Sequence, residues 1–470
     1  MELTIDNDVK RVFELQKQNQ YAVAATPISE RRRKLKALKN AVEVTFRQEI
    51  RDALKADFGK HPTEVDLSEI YPVTSEIKHT LSHLGSWTKK QYVATPLAFM
   101  GSSSYIKYEP KGVCLIISPW NFPVNLTLGP LVSAIAAGNT VILKPSEFTP
   151  HIAQVMKKLI SSIFDENEVA LIEGGIEVST ALLDLPFNHI FFTGAPSIGK
   201  VVMKAAAKNL TSVTLELGGK SPTIIDETAS IASAAKRIAW GKFLNSGQIC
   251  IAPDYLFVHE SKKDALVAAM SKVIDGFFGE NANESGDYTK IVNARHCERV
   301  SGYLNDAVAK GATVLYGGKI NAKTNSIQPT LITDVATDSA LMQNEIFGPI
   351  LPIYTYSNLD EVINIINAGE KPLALYIYSN SNKNIEKISS GTRAGGTCIN
   401  NNDIHFFNNN LPFGGSNNSG IGKSHGIWGF QAFSEARSYY RQHIPGALEL
   451  LAPPYNNWKQ KLVALTIKFF

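Results

Sequence analysis

The stretch GVCLIISPWNFPVNLTLGPLVSAIAAGNTVILK, residues 112–144, decides the fold. It contains a short apolar run at 112–118, a segment of helical character at 125–137 and a second apolar run at 139–144. Both runs are continuously apolar instead of alternating, which is typical of parallel strands covered on both faces. The stretch therefore predicts an α/β protein whose ligand site lies at the carboxyl ends of parallel strands.

Strands and helices alternate through most of the remaining chain. Residues 1 to about 90 are predicted to be helical, because apolar positions recur at three and four residues. A first series has further strands at 169–173, 189–193 and 211–217, with helices at 150–164, 177–184 and 197–208. A second series has strands at 221–226, 255–259, 350–356 and 373–378, with helices at 228–245 and 262–277. We place a domain boundary near Glu216, between the two series.

The composition is that of an ordinary large globular protein. The chain has 470 residues, of which 44% are hydrophobic and 19% charged, and its net charge is +4. These values suit two or three packed units and argue against long disorder. The densest basic cluster, at 31–39, has helical periodicity and no aromatic neighbours for base stacking, so nucleic-acid binding is not predicted.

The four cysteines are Cys114, Cys250, Cys297 and Cys398. They form no CxxC pair, and none has zinc-ligand spacing to a histidine, which argues against a disulfide scaffold and a metal site. The N-terminal segment carries acidic residues and no apolar signal-peptide core. A cytoplasmic location is therefore predicted.

The C-terminal stretch KLVALTIKFF, residues 461–470, is apolar with interleaved lysines. No stretch of the chain reaches the roughly 18 to 20 apolar residues of a membrane-spanning helix. We expect the tail to be docked on the protein, and weak peripheral contact with a membrane surface is the alternative.

A glycine-containing turn in FTGAPSIGK, residues 192–200, suits a phosphate group. Gly194 and Gly199 flank the junction of a predicted strand and helix, and Ser197 is a plausible N-cap. Backbone N–H groups at such a helix start can hold a pyrophosphate. The full GxGxxG motif is absent, and a turn of this kind is more often purely structural, so it identifies no cofactor by itself.

Two polar residues lie at or near the ends of buried strands. The amide of Asn121, between two prolines in SPWNFP, can donate to an oxyanion, although a loop asparagine more often satisfies its own backbone. Glu216 lies in an apolar strand before a glycine pair, where burial raises a carboxyl pKa as a general base requires. The alternatives for Glu216 are a side chain facing solvent or one paired with Lys220.

Cys250 follows a predicted helix in the glycine-containing turn NSGQICIAP, residues 245–253. A lone cysteine is usually a small core hydrophobe, and that interpretation fits Cys114 inside its strand. Cys250 instead lies where two elements meet, the place that a reactive thiol requires.

In their order and spacing, the segments around Asn121, Glu216 and Cys250 resemble those of the aldehyde dehydrogenase superfamily. The resemblance runs from about residue 10 to residue 443. The motifs LKPSE, NEIFGP and LPFGG, at 143–147, 344–349 and 411–415, carry the same resemblance. The short length, the APDY after the cysteine and the Ser424-His-Gly426 segment resemble the class 3 branch, which handles fatty and aromatic aldehydes. The resemblance implies a Rossmann-like parallel-sheet cofactor domain, a second α/β catalytic domain and a small bridging strand region.

The implied domain organisation divides the chain near the boundary given above. It assigns the NAD(P)-binding domain to 1–100 and 110–215, the catalytic thiol domain to 216–427, the bridging segments to 101–109 and 428–445, and the tail to 446–470.

The resemblance also implies the chemistry, oxidation of an aldehyde to the carboxylic acid. Cys250 is the nucleophile that forms a thiohemiacetal and then a thioester, Asn121 donates to the oxyanion, and Glu216 activates the hydrolytic water. Two alternatives stay open. A coenzyme A-acylating enzyme is disfavoured by an intact Glu216, and a catalytically silent relative is disfavoured by the presence of all three residues.

The implied cofactor is NAD, with measurable use of NADP. Glu147 is placed to accept from the adenosine 2'-hydroxyl, whereas Lys144 would attract a 2'-phosphate. Glu345 and Phe347 match the contacts to the nicotinamide ribose and ring. The full set of implied cofactor contacts is Trp120, Lys144, Glu147, Gly194, Ser197, Gly199, Leu217, Glu345 and Phe347.

Two positions depart from the family pattern. Ala195 stands where many relatives have a serine near the pyrophosphate, and Asn417 stands where glycine is frequent. Asparagine tolerates positive φ better than most residues, so we expect that turn to survive. The resemblance also implies a homodimer, formed through bridging strands at 102–108 and 434–443.

Overall fold

The computed structural model describes residues 2–469. Met1, in the N-terminal segment that is predicted not to be a signal peptide, and Phe470, the last residue of the predicted tail, lie outside the described residues. The N-terminal part is helical, as predicted, and wide helical turns at Ala41–Thr45 and Asp66–Ile70 interrupt it. Its helices are Glu2–Ala24, Ile28–Asn40, Arg47–Phe58, Pro62–Val65 and Tyr71–Trp87.

A six-stranded sheet follows, and the five strands predicted for it are confirmed. In spatial order its strands are Gly420–Ile421, Ser212–Leu217, His189–Gly194, Val113–Ile117, Thr140–Lys144 and Val169–Leu171. All are parallel except Gly420–Ile421, which pairs antiparallel with Ser212–Leu217. The helices between the parallel strands are Pro123–Ala137, Pro150–Ser161, Ile176–Leu183 and Pro196–Ala207.

The strand order reverses next to Val113–Ile117, which lies between Thr140–Lys144 on one side and His189–Gly194 on the other. A reversal of this kind opens a crevice at the carboxyl ends of the strands. Trp120 and Asn121 follow the first of these strands, and the turn at 195–199 follows the third. The topology therefore brings these two segments to one crevice.

A seven-stranded sheet contains the second series of strands. In spatial order its strands are Thr313–Tyr316, Thr330–Thr333, Ile350–Tyr356, Tyr255–His259, Pro222–Ile225, Ala374–Tyr378 and Gly396–Ile399. Only Thr313–Tyr316 is antiparallel to its neighbour. Its helices are Ile231–Phe243, Lys263–Phe278, Ala294–Ala309, Ala340–Gln343, Leu359–Ala368 and Asn382–Gly391.

Three strands of this sheet were not predicted from the sequence. Two of them, Thr313–Tyr316 and Gly396–Ile399, are edge strands whose side chains are exposed or half-buried, so they lack a continuous apolar run. The third, Thr330–Thr333, is buried but only four residues long. Two further residue pairs, Ile320–Asn321 and Ser326–Ile327, form a separate small ladder.

A three-stranded antiparallel sheet joins two distant parts of the chain. The strand Ser102–Pro110 pairs with Gln91–Val93 on one side and with Ser434–Gln442 on the other. The ring of Tyr105 stacks on that of Tyr439 across the pair, with centroids 4.8 Å apart. The helix Gly426–Ala432 leads into the last strand. The domain boundaries themselves stay a prediction.

The tail ends in the helix Asn457–Phe469, which buries none of its described side chains. The expectation that the tail is docked on the protein is therefore wrong for this helix. No helix within residues 2–469 is both long and apolar enough to cross a membrane. Short 3-10 turns complete the structure at Leu97–Phe99, Leu244–Gly247, Glu260–Lys262, Ala282–Glu284, Ile404–Phe407 and Ala447–Leu451.

Candidate active site

Cys250 lies in a turn created by left-handed backbone. After the helix Ile231–Phe243, the residues Asn245, Ser246 and Gly247 have φ of 50°, 52° and 70°. A Cβ on Gly247 would lie 2.4 Å from the carbonyl oxygen of Gly348, so only glycine fits there. The reversal places Cys250 half-buried at the junction of two apolar cavities. Burial, together with the nearby carboxyls of Glu345 and Glu216, raises the pKa of the Cys250 thiol.

The two cavities enclose about 730 and 510 Å³ of empty space and share Cys250. Asn125, Leu126, Phe406 and Phe407 also line both. The larger cavity reaches Glu216, so the structure brings the predicted nucleophile and the predicted base to one chamber. Its aromatic walls are Phe191, Phe406, Phe407, Phe413 and Phe433.

Glu216 is buried near the end of the strand Ser212–Leu217, with 5% of its surface exposed. Its Oε1 accepts a hydrogen bond from the Ser424 hydroxyl at 3.0 Å, and its Oε2 is buried with no partner among the described residues. Burial raises the pKa of Glu216 to about 8, although Ser424 and Lys423 oppose the rise. A carboxyl with this pKa and a free oxygen can accept a proton from water.

Both alternative interpretations of Glu216, a side chain facing solvent and a pair with Lys220, are wrong. The side chain does not face solvent, and Lys220 is engaged elsewhere. Lys220 forms an ion pair with Asp254 and donates to the carbonyls of Leu341 and Asn344 at 2.7 and 2.8 Å.

Asn121 is buried and bonded to the segment that carries Cys250. Its Nδ2 donates to the carbonyl of Gln248 at 2.9 Å, so the amide does not satisfy its own backbone. The backbone carbonyl of Asn121 accepts a hydrogen bond from the Nδ2 of Asn245 at 3.0 Å. An amide carries two N–H groups, and among the described residues only one of those of Asn121 has a partner.

Lys144 and Glu147 form an ion pair beyond the strand Thr140–Lys144. The Nζ of Lys144 lies 3.0 Å from Oε2 of Glu147. The Lys144 side chain is buried, whereas 43% of the Glu147 side chain is exposed. The two residues therefore partly neutralise each other, and Glu147 is the one that a ligand can reach.

The turn at 194–199 packs tightly on the sheet. A Cβ on Gly199 would lie 2.8 Å from Cδ2 of Leu217, so glycine lets the first turn of the helix Pro196–Ala207 approach that strand. The prediction that Ser197 caps this helix is wrong. Ala195 occupies the N-cap position, and Ser197 is exposed as the second helical residue, because Pro196 already begins the helix.

Glu345 and Phe347 lie in the loop before the strand Ile350–Tyr356. Burial raises the pKa of Glu345 to about 8, and the N–H of Gly219 donates to its carboxylate. The Oε1 of Glu345 is buried without a partner among residues 2–469, so it can accept from a ligand hydroxyl. Phe347 holds φ of 43°, and its ring meets the ring of Trp120 edge to face at 5.3 Å. Strained backbone of this kind is frequent at ligand sites.

Ser424, quoted above as a sign of the class 3 branch, was not predicted to be a partner of Glu216. Glu76 was not predicted either; it is a second buried carboxyl in the larger cavity and accepts from the N–H of Gly426 at 2.8 Å. Both residues are far from Glu216 in sequence, and only the fold brings them to the same cavity. The turn at Asn417 survives as expected, with φ of 56°.

Comparison with known proteins identifies the family. Residues 2–439 match the Aldehyde dehydrogenase family. The chain is 46% identical over 428 residues to 4,4'-diaponeurosporen-aldehyde dehydrogenase of Staphylococcus aureus. The matched region covers 91% of this chain and 92% of that protein. The chain is 42% identical over 435 residues to Aldehyde dehydrogenase family 3 member A2 of Pongo abelii, covering 92% and 88%.

A further relative and a solved structure agree with this family assignment. Aldehyde dehydrogenase, dimeric NADP-preferring, of Rattus norvegicus is 43% identical over 404 residues, covering 86% of this chain and 88% of that protein. A solved structure described as the substrate-bound state of Staphylococcus aureus AldH superposes with a TM-score of 0.93 at 43% identity, covering 97% of this chain and 99% of that one.

The predicted superfamily, its class 3-like branch and the predicted fold class are thereby confirmed. The chain belongs to the aldehyde dehydrogenase family, and its activity is the NAD(P)-dependent oxidation of an aldehyde.

Proposed function

We propose that this enzyme oxidises apolar aldehydes, aliphatic or aromatic, through a thioester on Cys250. The observation that carries the proposal is that Cys250 and the buried Glu216 line one cavity, whose walls include five phenylalanine side chains. Such walls favour an apolar substrate, because they offer few groups to replace the hydration of a polar one. A relative that is named for 4,4'-diaponeurosporen-aldehyde supports the same class.

A panel of aldehydes ranked by kcat/KM tests this substrate class, with NADH formation as the readout. We expect kcat/KM to rise with the apolar surface of the aldehyde. A small hydroxylated aldehyde as the best substrate would contradict the proposal.

The proposed chemistry uses the three residues in turn. The Cys250 thiol loses its proton to solvent water, and its sulfur bonds to the carbonyl carbon of the aldehyde while the π electron pair of the carbonyl moves onto the oxygen. The second N–H of the Asn121 amide and the backbone N–H of Cys250 stabilise the negative charge on oxygen. A bound nicotinamide would accept the hydride that the former aldehyde carbon loses, and this loss leaves a thioester on Cys250. Glu216 then takes a proton from water, which attacks the thioester carbon, and the carbon–sulfur bond breaks to release the acid.

The residues proposed to hold the cofactor fit it chemically. The unpartnered Oε1 of Glu345 suits a ribose hydroxyl, and Phe347 and Trp120 offer apolar surface for the nicotinamide end. Glu147 and Lys144 suit the adenosine ribose, and the turn with Gly194, Ser197 and Gly199, which packs on Leu217, suits the pyrophosphate.

Replacement of Ser424 tests how the pKa of the base is set. Deprotonated Glu216 is the active form, so the deacylation rate should rise with pH through the pKa of about 8. The Ser424 hydroxyl donates to the carboxylate and favours its charged form, so Ser424→Ala should raise that pKa. We expect the rise of kcat to move to a pH about 1 unit higher. Steady-state kcat from pH 6 to 10 measures the shift, and an unmoved or lowered midpoint would show that Ser424 does not tune the base.

Glu147→Gln tests the choice between NAD and NADP. In the wild type we expect NAD to be preferred, because the exposed carboxylate repels a 2'-phosphate and neutralises Lys144. The variant frees the charge of Lys144, so the ratio of kcat/KM for NADP to that for NAD should rise on the order of tenfold. A wild type that prefers NADP, or a ratio unchanged by the substitution, would show that Glu147 is not the selecting residue.

We propose a homodimer that forms along the three-stranded sheet. Ser102–Pro110 is paired on both sides, so of the two predicted bridging strands the one with an open edge is Ser434–Gln442, most of whose side chains are exposed. Unpaired strand edges of this length seek partners. We expect light scattering at micromolar concentration to give twice the mass of the chain, and a monomeric mass would contradict the proposal.

We also propose that the enzyme is cytoplasmic and that its C-terminal tail makes weak peripheral contact with membranes. Trp458 and Ile467 of the tail helix are exposed by 57% and 78%, and Lys461 and Lys468 accompany them. Exposed apolar side chains with interleaved lysines suit an anionic lipid surface.

A further inference from the structure

A fully buried ion pair lies beside the segment that carries Asn121. The Nζ of Lys60 is 3.0 Å from Oε1 of Glu69, and both side chains are 0% exposed. Lys60 follows Gly59, which ends the helix Arg47–Phe58 with φ of 71°. Glu69 lies in the wide helical turn Asp66–Ile70. Neither residue has a part in the chemistry described above.

The second oxygen of Glu69 holds the start of the helix Pro123–Ala137. Its Oε2 accepts from the N–H groups of both Val124 and Asn125 at 3.0 Å. N–H groups in the first turn of a helix have no partner within the helix, and the first residue, Pro123, has no N–H at all. The carboxylate therefore satisfies two donors that would otherwise be buried unpaired, and its charge suits the positive end of the helix.

Lys60 holds the residues immediately before this helix. Its Nζ donates to the carbonyl of Asn121 at 3.3 Å and lies 4.5 Å from the ring centroid of Phe122. The same Asn121 carbonyl accepts from Asn245, which belongs to the Cys250 turn. Two donors from two elements thus fix the peptide group between Asn121 and Phe122, next to the Cα atom that carries the Asn121 side chain.

A buried ion pair is a poor source of net stability, because the cost of removing both charges from water offsets most of their attraction. The contacts of this pair instead indicate that it holds neighbouring backbone in place. We propose that Lys60 and Glu69 are positioning residues that hold the segment 121–125, so that the Asn121 amide meets the oxygen of the substrate. This inference rests on the proposed role of Asn121 as the oxyanion donor.

The experiment measures the rate of the first NADH turnover in Lys60→Met, Asn121→Ala and the double variant. Asn121→Ala should lower this rate by about 100- to 1000-fold, the usual loss for one oxyanion donor. Lys60→Met should lower it by about 10- to 100-fold, because a small displacement of a catalytic group is costly. In the Asn121→Ala background, Lys60→Met should cost less than about twofold, since no donor remains to be positioned. The dissociation constant for NAD should stay unchanged in all three.

The matched control is Lys34→Met, which breaks another largely buried ion pair, Lys34 with Glu168, remote from this cavity. We expect its first-turnover rate to equal that of the wild type. If Lys60→Met does not fold, Lys60→Met/Glu69→Gln is assayed in its place, because it removes both charges of the pair.

The outcomes separate the inference from the proposed function. A loss below threefold in Asn121→Ala would overturn the role of Asn121 and the inference with it. A large loss in Asn121→Ala, with the effect of Lys60→Met equally large in both backgrounds or absent in both, would overturn the inference alone. Failure of both Lys60 variants to fold would assign the pair to folding and would also overturn it.

Discussion

Cys250→Ser is expected to lower kcat for aldehyde oxidation by about 10⁴-fold or more. A serine hydroxyl in the same half-buried turn has no neighbouring base bonded to it and is a far weaker nucleophile than a thiol. The initial rate of NADH formation with a saturating apolar aldehyde measures the loss. Because the proposed reaction uses one sulfur atom, none of the other cysteines should take over in Cys250→Ser.

The matched controls are the remaining cysteines. Cys114 lies buried inside the strand Val113–Ile117, and Cys297 is buried in the helix Ala294–Ala309. Cys398 lies in the edge strand Gly396–Ile399. Their serine variants should keep dehydrogenase activity apart from losses of stability. Equal inactivation by Cys297→Ser would show that Cys250 is not the nucleophile, and an acid-quenched acyl adduct on the Cys250 peptide would agree with the assignment.

Glu216→Gln should separate the two halves of the reaction. Acylation of Cys250 does not need a base for water, so the first turnover should release about one NADH per subunit as a burst. Hydrolysis of the thioester does need that base, so the steady-state rate should fall by about 100- to 10,000-fold. Rapid-mixing measurements of NADH give both quantities, and the acyl adduct should accumulate on Cys250 by mass spectrometry.

Glu76→Gln is the control for this variant. Burial raises the pKa of Glu76 to about 7, so Glu76 is a second carboxyl lining the same cavity whose pKa is near that of a general base. Its two oxygens are engaged, however, by the N–H of Gly426 and the amide of Asn409. We expect no adduct to accumulate in Glu76→Gln. Accumulation there and not in Glu216→Gln would assign the base to Glu76.

The parallel sheet could be predicted from the sequence alone, because buried parallel strands need continuous apolar runs. All five predicted strands of the first sheet are present, from Val113–Ile117 to Ser212–Leu217. The sequence also predicts which residues carry the proposed chemistry, since the motifs around Asn121, Glu216 and Cys250 are local in the chain. Edge strands such as Gly396–Ile399 could not be predicted, because half-exposed strands have no apolar run to mark them.

Only the tertiary structure decided which groups surround these residues. Ser424 bonds to Glu216 across more than 200 residues of sequence. The Lys60 and Glu69 pair reaches Asn121 from the helical N-terminal part of the chain. Hydrogen bonds and burial depend on distances in space, and no spacing along the chain reports them. The motifs therefore predict the reacting residues, whereas the fold sets the pKa values, partners and alignment of those residues.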